Sequence, residues 1–133
     1  MIRTVALAAA LVLAGVAADA ADDEVDCSKA STQYDMDICA NKDFDAADKK
    51  LNNVYGQAVK VAGDLDDKTL DKLRTAERAW LAFREAECTF ETADYEGGTI
   101  YPMTFTMCRT KLTRTRTKEL EAYLACEKDT MKC

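Results

Sequence analysis

Six cysteines, Cys27, Cys39, Cys88, Cys108, Cys126 and Cys133, hold most of the chemical potential of this 133-residue chain. Thiols at this density form disulfides in an oxidising compartment, or bind metal and shuttle electrons in a reducing one. No Cys-x-x-Cys pair occurs and no histidine is present, so metal and redox roles lack their usual spacing and partners. The same absence removes Ser-His-Asp and Cys-His catalysis. Carboxylates are the other reactive class, with 24 Asp plus Glu. A glycosidase needs two of them flanking a cleft, and no pair stands out here. Asn41-x-Asp43-x-Asp45 resembles the opening of a calcium loop, but Ala46 stands where that loop needs glycine and Asn52 where it needs a bidentate Glu. The sequence therefore reads as a non-enzymatic chain with no catalytic residue, no metal and no cofactor, its cysteines serving as structural disulfides.

Such disulfides require export, and the N-terminus reads as a leader. Met1 to Ala20 has the form of a signal peptide: Arg3 in a short basic region, an apolar run from Val5 to Val16, and Ala18-Asp19-Ala20 as a small-x-small cleavage site. The apolar run is about a dozen residues, whereas a spanning helix needs about 20. Val16 stands where a lipidated cysteine would follow Leu13-Ala14-Gly15. The expectation is a periplasmic or secreted protein with no membrane span, residues 21–133 forming one domain. The net charge of −6 is uneven. Residues 22–48 carry nine acids and two bases, whereas residues 109–132 carry seven bases and four acids. On charge alone such an acidic face reads first as a solvated surface that keeps the protein soluble, and second as one that attracts cationic partners. The basic run Arg109, Lys111, Arg114, Arg116 and Lys118 has no interleaved aromatics, so it reads as a complement to the acidic start of the first helix or as solvated surface, and no nucleic-acid partner is expected.

With one proline and few glycines, long helical segments are the natural outcome. A first helix opens at Thr32, with Asp35 three residues on. Its stripe is Met36, Ala40, Phe44, Ala47, Leu51, Val54, Tyr55, Ala58 and Ala62, and Gly63-Asp64 breaks it. A second helix begins near Asp66 or Asp67, buries Leu70, Leu73, Ala76, Trp80, Phe83 and Phe90, and ends at Glu96-Gly97-Gly98. Within it, Arg84 and Glu87 are placed to pair at i,i+3. A third helix follows Pro102. Thr113 to Lys118 alternates with a strand-like period, but Phe105, Cys108, Leu112, Leu120, Tyr123 and Leu124 favour a helix. The fold class is all-α, an antiparallel three-helix bundle cross-linked by disulfides.

In such a bundle Cys39, Cys88 and Cys108 lie at similar heights near one pole, with Cys27 close by. Local pairs Cys27–Cys39 and Cys88–Cys108 are the first choice; Cys27–Cys88 with Cys39–Cys108 fits the same pole. Cys126 and Cys133 remain as a third pair. The loop Tyr95, Glu96, Gly97, Gly98, Thr99, Ile100, Tyr101, Pro102 would be braced at that pole. Braced loops with aromatic tips suit recognition, and the loop could equally be a plain connector. Together with Asp43, Asp45 and Asp48 it forms the candidate binding surface.

One joint pattern runs through these elements. It comprises Asp26-Cys27, Thr32-Gln33, Cys39-Ala40, Asp48 with Leu51-Asn52-x-x-Tyr55, Arg78-Ala79-Trp80-Leu81-Ala82-Phe83-Arg84-x-Ala86-Glu87-Cys88, Gly97-Gly98-Thr99-Ile100-Tyr101-Pro102-Met103, Cys108, Leu112-Thr113 and Arg116-Thr117-x-x-Leu120. It resembles the small exported bacterial domain named after the N-terminal part of LprI, a lysozyme-inhibiting lipoprotein, over roughly Cys27 to Leu124. The resemblance implies a helical, disulfide-bonded envelope or secreted domain and suggests inhibition of lysozyme-type muramidases by protein–protein binding. A cationic lysozyme would suit the acidic surface. The rival expectation is an envelope structural or adaptor module with no inhibitory activity.

Overall fold

The computed structural model describes residues 25–129, and within them the chain forms three long helices: α1 (Gln33–Leu65), α2 (Asp67–Glu91) and α3 (Tyr101–Lys128), with a single 3-10 turn at Ala93–Tyr95. No strand occurs among the described residues, so the all-α expectation holds. Thr113 to Lys118 lies inside α3. The threonines that suggested alternation are helical and mostly bond back to the preceding turn, as Thr117 Oγ1 does by donating to Thr113 O at 2.9 Å. The expected leader, residues 1–20, lies outside the described residues.

Local chemistry explains the element ends. Thr32 caps α1, its hydroxyl accepting from the Asp35 N–H at 3.1 Å. Helix α1 runs through Gly63-Asp64 to Leu65, two residues past the expected break. The actual stop is Asp66, a single extended residue that serves both helices. Its N–H reaches back to Ala62 O at 3.2 Å. Its carboxylate accepts from Thr69 N at 2.9 Å and from Thr69 Oγ1 at 2.8 Å, capping α2. Those two bonds favour the charged form and hold the Asp66 carboxyl below its ordinary value of 3.8.

Helix directions follow from the cross-links. Asp43 pairs with Arg114 and Lys50 with Glu121, the same 71-residue offset twice, so α1 and α3 run parallel. Cys88–Cys108 and Glu77–Arg116 converge as the chain turns, so α2 runs antiparallel to α3. The apolar core occupies the half near the α1–α2 hinge. Leu51, Val54, Ala58, Leu120 and Leu124 are buried, with Tyr55, Val61, Leu73, Trp80 and Tyr123 packed on them.

The opposite half is held differently. Helix α3 buries Thr106, Thr110, Thr113 and Thr117 in steps of three and four, and small residues let parallel helices approach closely. Helix α2 buries Glu77, Arg84 and Cys88 there. Arg84 donates from Nη1 to Asp48 Oδ1 at 3.3 Å and to Thr113 Oγ1 at 3.1 Å, and from Nε to Glu85 Oε1 at 3.0 Å. Its guanidinium also faces Phe44 and Trp80, with centroid distances of 5.3 and 5.2 Å. Arg116 joins Glu77 at 3.0 Å and faces the same Trp80. Charge enters this interior because it is paired, stacked and hydrogen-bonded.

Three expectations are corrected here. Phe83 and Phe90 are exposed, as is Ala76, because the inner face of α2 is Leu73, Glu77, Trp80, Arg84 and Cys88. Arg84 pairs across the bundle with Asp48 and locally with Glu85, not with Glu87. Helix α2 ends at Glu91, five residues early, because buried Thr92 turns its hydroxyl onto Cys88 O at 2.6 Å and the chain tightens into the 3-10 turn.

Candidate protein-binding pole

Two disulfides fix one end of the bundle. Cys27–Cys39 ties the incoming chain to α1 and Cys88–Cys108 ties α2 to α3, the local pairing and not the crossed one. Cys126 is also disulfide-bonded; its expected partner Cys133 lies outside the described residues. Asp26, beside the first bridge, takes hydrogen bonds from the Ser28 hydroxyl and N–H and an ion pair from Lys29, which together lower its carboxyl pKa.

The segment 92–101 between the bridged helices is a chain of tight turns. Backbone bonds run Tyr95 N to Thr92 O, Glu96 N to Ala93 O, Gly98 N to Tyr95 O and Tyr101 N to Gly98 O, each at 3.0–3.2 Å. Gly97 sits at φ +79°, a left-handed conformation that favours glycine. A Cβ on Gly98 would lie 3.1 Å from Tyr95 O. The turns leave Tyr95 and Ile100 exposed, while Tyr101 folds back to stack on Phe105 at 5.8 Å. Pro102 begins α3 in the first turn, where its missing N–H costs nothing.

Two grooves flank this loop. One, of about 650 Å³, runs between the starts of α1 and α3 and is lined by Met36, Cys39, Lys42, Asp43, Met103 and Met107 among others. The second, of about 430 Å³, is lined by Glu91, Thr92, Tyr95, Thr104, Met107, Cys108 and Lys111. Met107, more than half exposed, lies between them. The candidate residues Asp43 and Tyr95 thus sit on either side of one methionine. All three methionines of the described residues line the first groove. Thioether side chains are flexible and polarisable, which suits surfaces that must fit a partner. Sequence reasoning missed this trio, although Met103 and Met107, one turn apart directly after the candidate loop, were a usable signal.

The acids divide. Asp43 holds Arg114, Asp48 turns inward to Arg84, and Asp45 is exposed. The basic run of α3 is largely neutralised: Arg109 lies 3.2 Å from Glu85, Lys111 3.6 Å from Glu91, and Arg116 pairs with Glu77 and Glu119. Arg109 also stacks on Phe44 at 4.0 Å. No group of three or more metal-ligating side chains occurs among the described residues. No helix there is long and apolar enough to cross a membrane.

The family model described as Lysozyme inhibitor LprI matches residues 26–120. The chain belongs to this family. Within the LprI pattern, Asp48, Trp80, Arg84, Thr113 and Arg116 now have a structural role, since they form the buried polar seam between the three helices. The chain is 38% identical to "Uncharacterized protein R02472" of Rhizobium meliloti (strain 1021) over 130 residues, covering 90% of this chain and 94% of that one. It is 25% identical to "Uncharacterized protein YecT" of Escherichia coli (strain K12) over 115 residues, covering 74% and 71%. No solved structure matches the chain.

Proposed function

We propose that this LprI-family protein is an exported, non-enzymatic binding protein that inhibits a lysozyme-type muramidase by docking on it with the disulfide-braced pole. The observation that carries the reading is the family match across residues 26–120, joined to a pole built for contact. Its loop from Tyr95 to Pro102, exposed except at Tyr101, is tightly turned and pinned by Cys88–Cys108, so little entropy is lost on binding. Tyr95 and Ile100 offer apolar contact beside the Met107 grooves, and Asp45 adds charge on the α1 side. The net charge of −6 favours fast, salt-sensitive association with a cationic enzyme. Asp43 and Asp48 act through Arg114 and Arg84, shaping the pole more than touching a partner. Export is part of the proposal: the disulfides and the leader-like residues 1–20 both support it.

A turbidity assay tests the proposal. Mature protein in stoichiometric excess slows lysis of bacterial cells by a susceptible lysozyme, and reductant abolishes the protection. Unaltered lysis with every lysozyme tried would leave the adaptor role as the better account.

A further inference from the structure

On the side away from α2, the seam between α1 and α3 is open along most of its length. Three clefts follow one another there. The pole groove of about 650 Å³ shares Ala46 with a cleft of about 370 Å³, and that cleft shares Glu121 with a third of about 320 Å³. Together they form one channel, and no α2 residue lines it. The channel's charge opposes that of the chain. Lys42, Lys50, Arg114, Lys118 and Lys128 line it against two carboxylates, Asp43 and Glu121, in a protein of net charge −6. From the level of Lys42 to Lys128 this cationic stretch runs about 22 Å, at roughly 1.5 Å per helical residue.

The bundle uses its cations in two ways. Arg84, Arg109 and Arg116 face α2 or lie within it, are between 7% and 24% exposed, and are held by carboxylates and aromatic rings. The cations of the channel stay in water. Arg114 and Lys50 are 57% and 64% exposed, and their partners Asp43 and Glu121 are 51% and 43% exposed. Ion pairs this open to solvent are weak, so an incoming anion can replace them. Lys118 and Lys128 are exposed and hold no counter-ion among the described residues.

We propose that this channel binds a linear acidic glycan, with the glycan's anionic groups on Lys50, Arg114, Lys118 and Lys128 and its hydroxyls on Asp43 and Glu121. A chain fits a channel, whereas a flat anionic surface reaches only the rims. The two carboxylates inside repel a polyanion as dense as a nucleic acid, which carries one charge per about 3.4 Å of strand. No aromatic ring lines the channel to stack bases. An acidic glycan spaces its charges by whole sugar rings and offers hydroxyl donors between them, which ionised carboxylates accept. The small residues Ala46, Ala47 and Thr117 leave room for the chain between the lysines. The four cations lie away from the Tyr95–Pro102 loop, so the proposal is independent of what that loop binds.

Isothermal titration of the disulfide-intact mature protein with polygalacturonate at low salt tests it, with dextran as the neutral control and single-stranded DNA as the dense polyanion. Polygalacturonate should bind, less tightly as salt rises, while DNA binds more weakly and dextran not at all. Lys118→Glu combined with Lys128→Glu should lower the affinity at least about tenfold. Both side chains are exposed, so that variant keeps the wild-type circular dichroism. Lys68→Glu combined with Arg78→Glu makes the same change in net charge on α2 and should leave the affinity within about twofold. Absence of polygalacturonate binding at low salt overturns the proposal. So does an equal loss in the two double variants, or a preference for DNA or dextran over the acidic glycan.

Discussion

Replacing Arg84 by alanine probes the polar half of the bundle where it is most concentrated. The side chain is 7% exposed, donates to Asp48, Glu85 and Thr113, and stacks between Phe44 and Trp80. Removing one member of a fully buried ion pair costs about 3–5 kcal/mol. Here Asp48 and Glu85 are 36% and 45% exposed, so water recovers part of that loss when the arginine goes. What is not recovered is the donor to Thr113, which is fully buried and worth about 1–3 kcal/mol, and two cation–π contacts at about 0.5–1 kcal/mol each. The net expectation is about 3 kcal/mol. At roughly 4 °C per kcal/mol for a domain of this size, the Tm falls by about 12 °C. Arg84→Met keeps the apolar stem and isolates the charge, and it should lose about 2 kcal/mol. Urea unfolding followed at 222 nm measures both. If both variants stay within about 0.5 kcal/mol of the wild type, the interior arginine is dispensable and the reasoning about this half of the molecule is wrong.

Other perturbations give distinct expectations. Replacing both Cys88 and Cys108 by serine opens a 20-residue loop and should cost about 3 kcal/mol in urea unfolding by the chain-entropy relation. Gly97→Ala forces a side chain to φ +79°; about 1 kcal/mol of stability should be lost, with faster amide exchange confined to residues 95–101. Asp66 has a lowered carboxyl pKa, so the stability it contributes is present above its ordinary value of 3.8 and is lost as the pH falls through the lower folded value. Thermal melts should therefore show Asp66→Ala less stable than wild type at neutral pH, with the gap narrowing only below 3.8.

Much of the fold was legible in residue spacing. Thr32, Asp66 and Pro102 mark helix starts through local hydrogen bonding and fixed dihedrals, chemistry that needs no distant partner. The height argument for Cys39, Cys88 and Cys108 works because helices have a constant rise, and it gathered the cysteines at one pole; preferring the local disulfides to the crossed ones rested on the short loops they close. The inner face of α2 was not legible. Phe83 outranks Arg84 on any scale of hydrophobicity, yet Arg84 is buried because Asp48 on α1 and Thr113 on α3 reach it. That advantage exists only after three helices assemble. The buried threonine row of α3 was not legible for the same reason: Thr106, Thr110, Thr113 and Thr117 are polar by composition, but the hydroxyls of Thr110 and Thr117 bond to their own helix, that of Thr113 accepts from Arg84, and all four present small bodies to the neighbours. Of the pole, the loop was legible through its glycines and tyrosines. The Met107 grooves were not, since they depend on how the starts of α1 and α3 meet.

Backbone amide chemical-shift mapping with a lysozyme that the protein protects against tests the central claim most directly. Titrating labelled mature protein should move resonances across residues 95–107 and around Asp43 and Asp45, and leave Leu51 to Val61 in place. Saturation with enzyme that leaves the 95–107 resonances unmoved, or that shifts only the hinge end near Asp66, would contradict it.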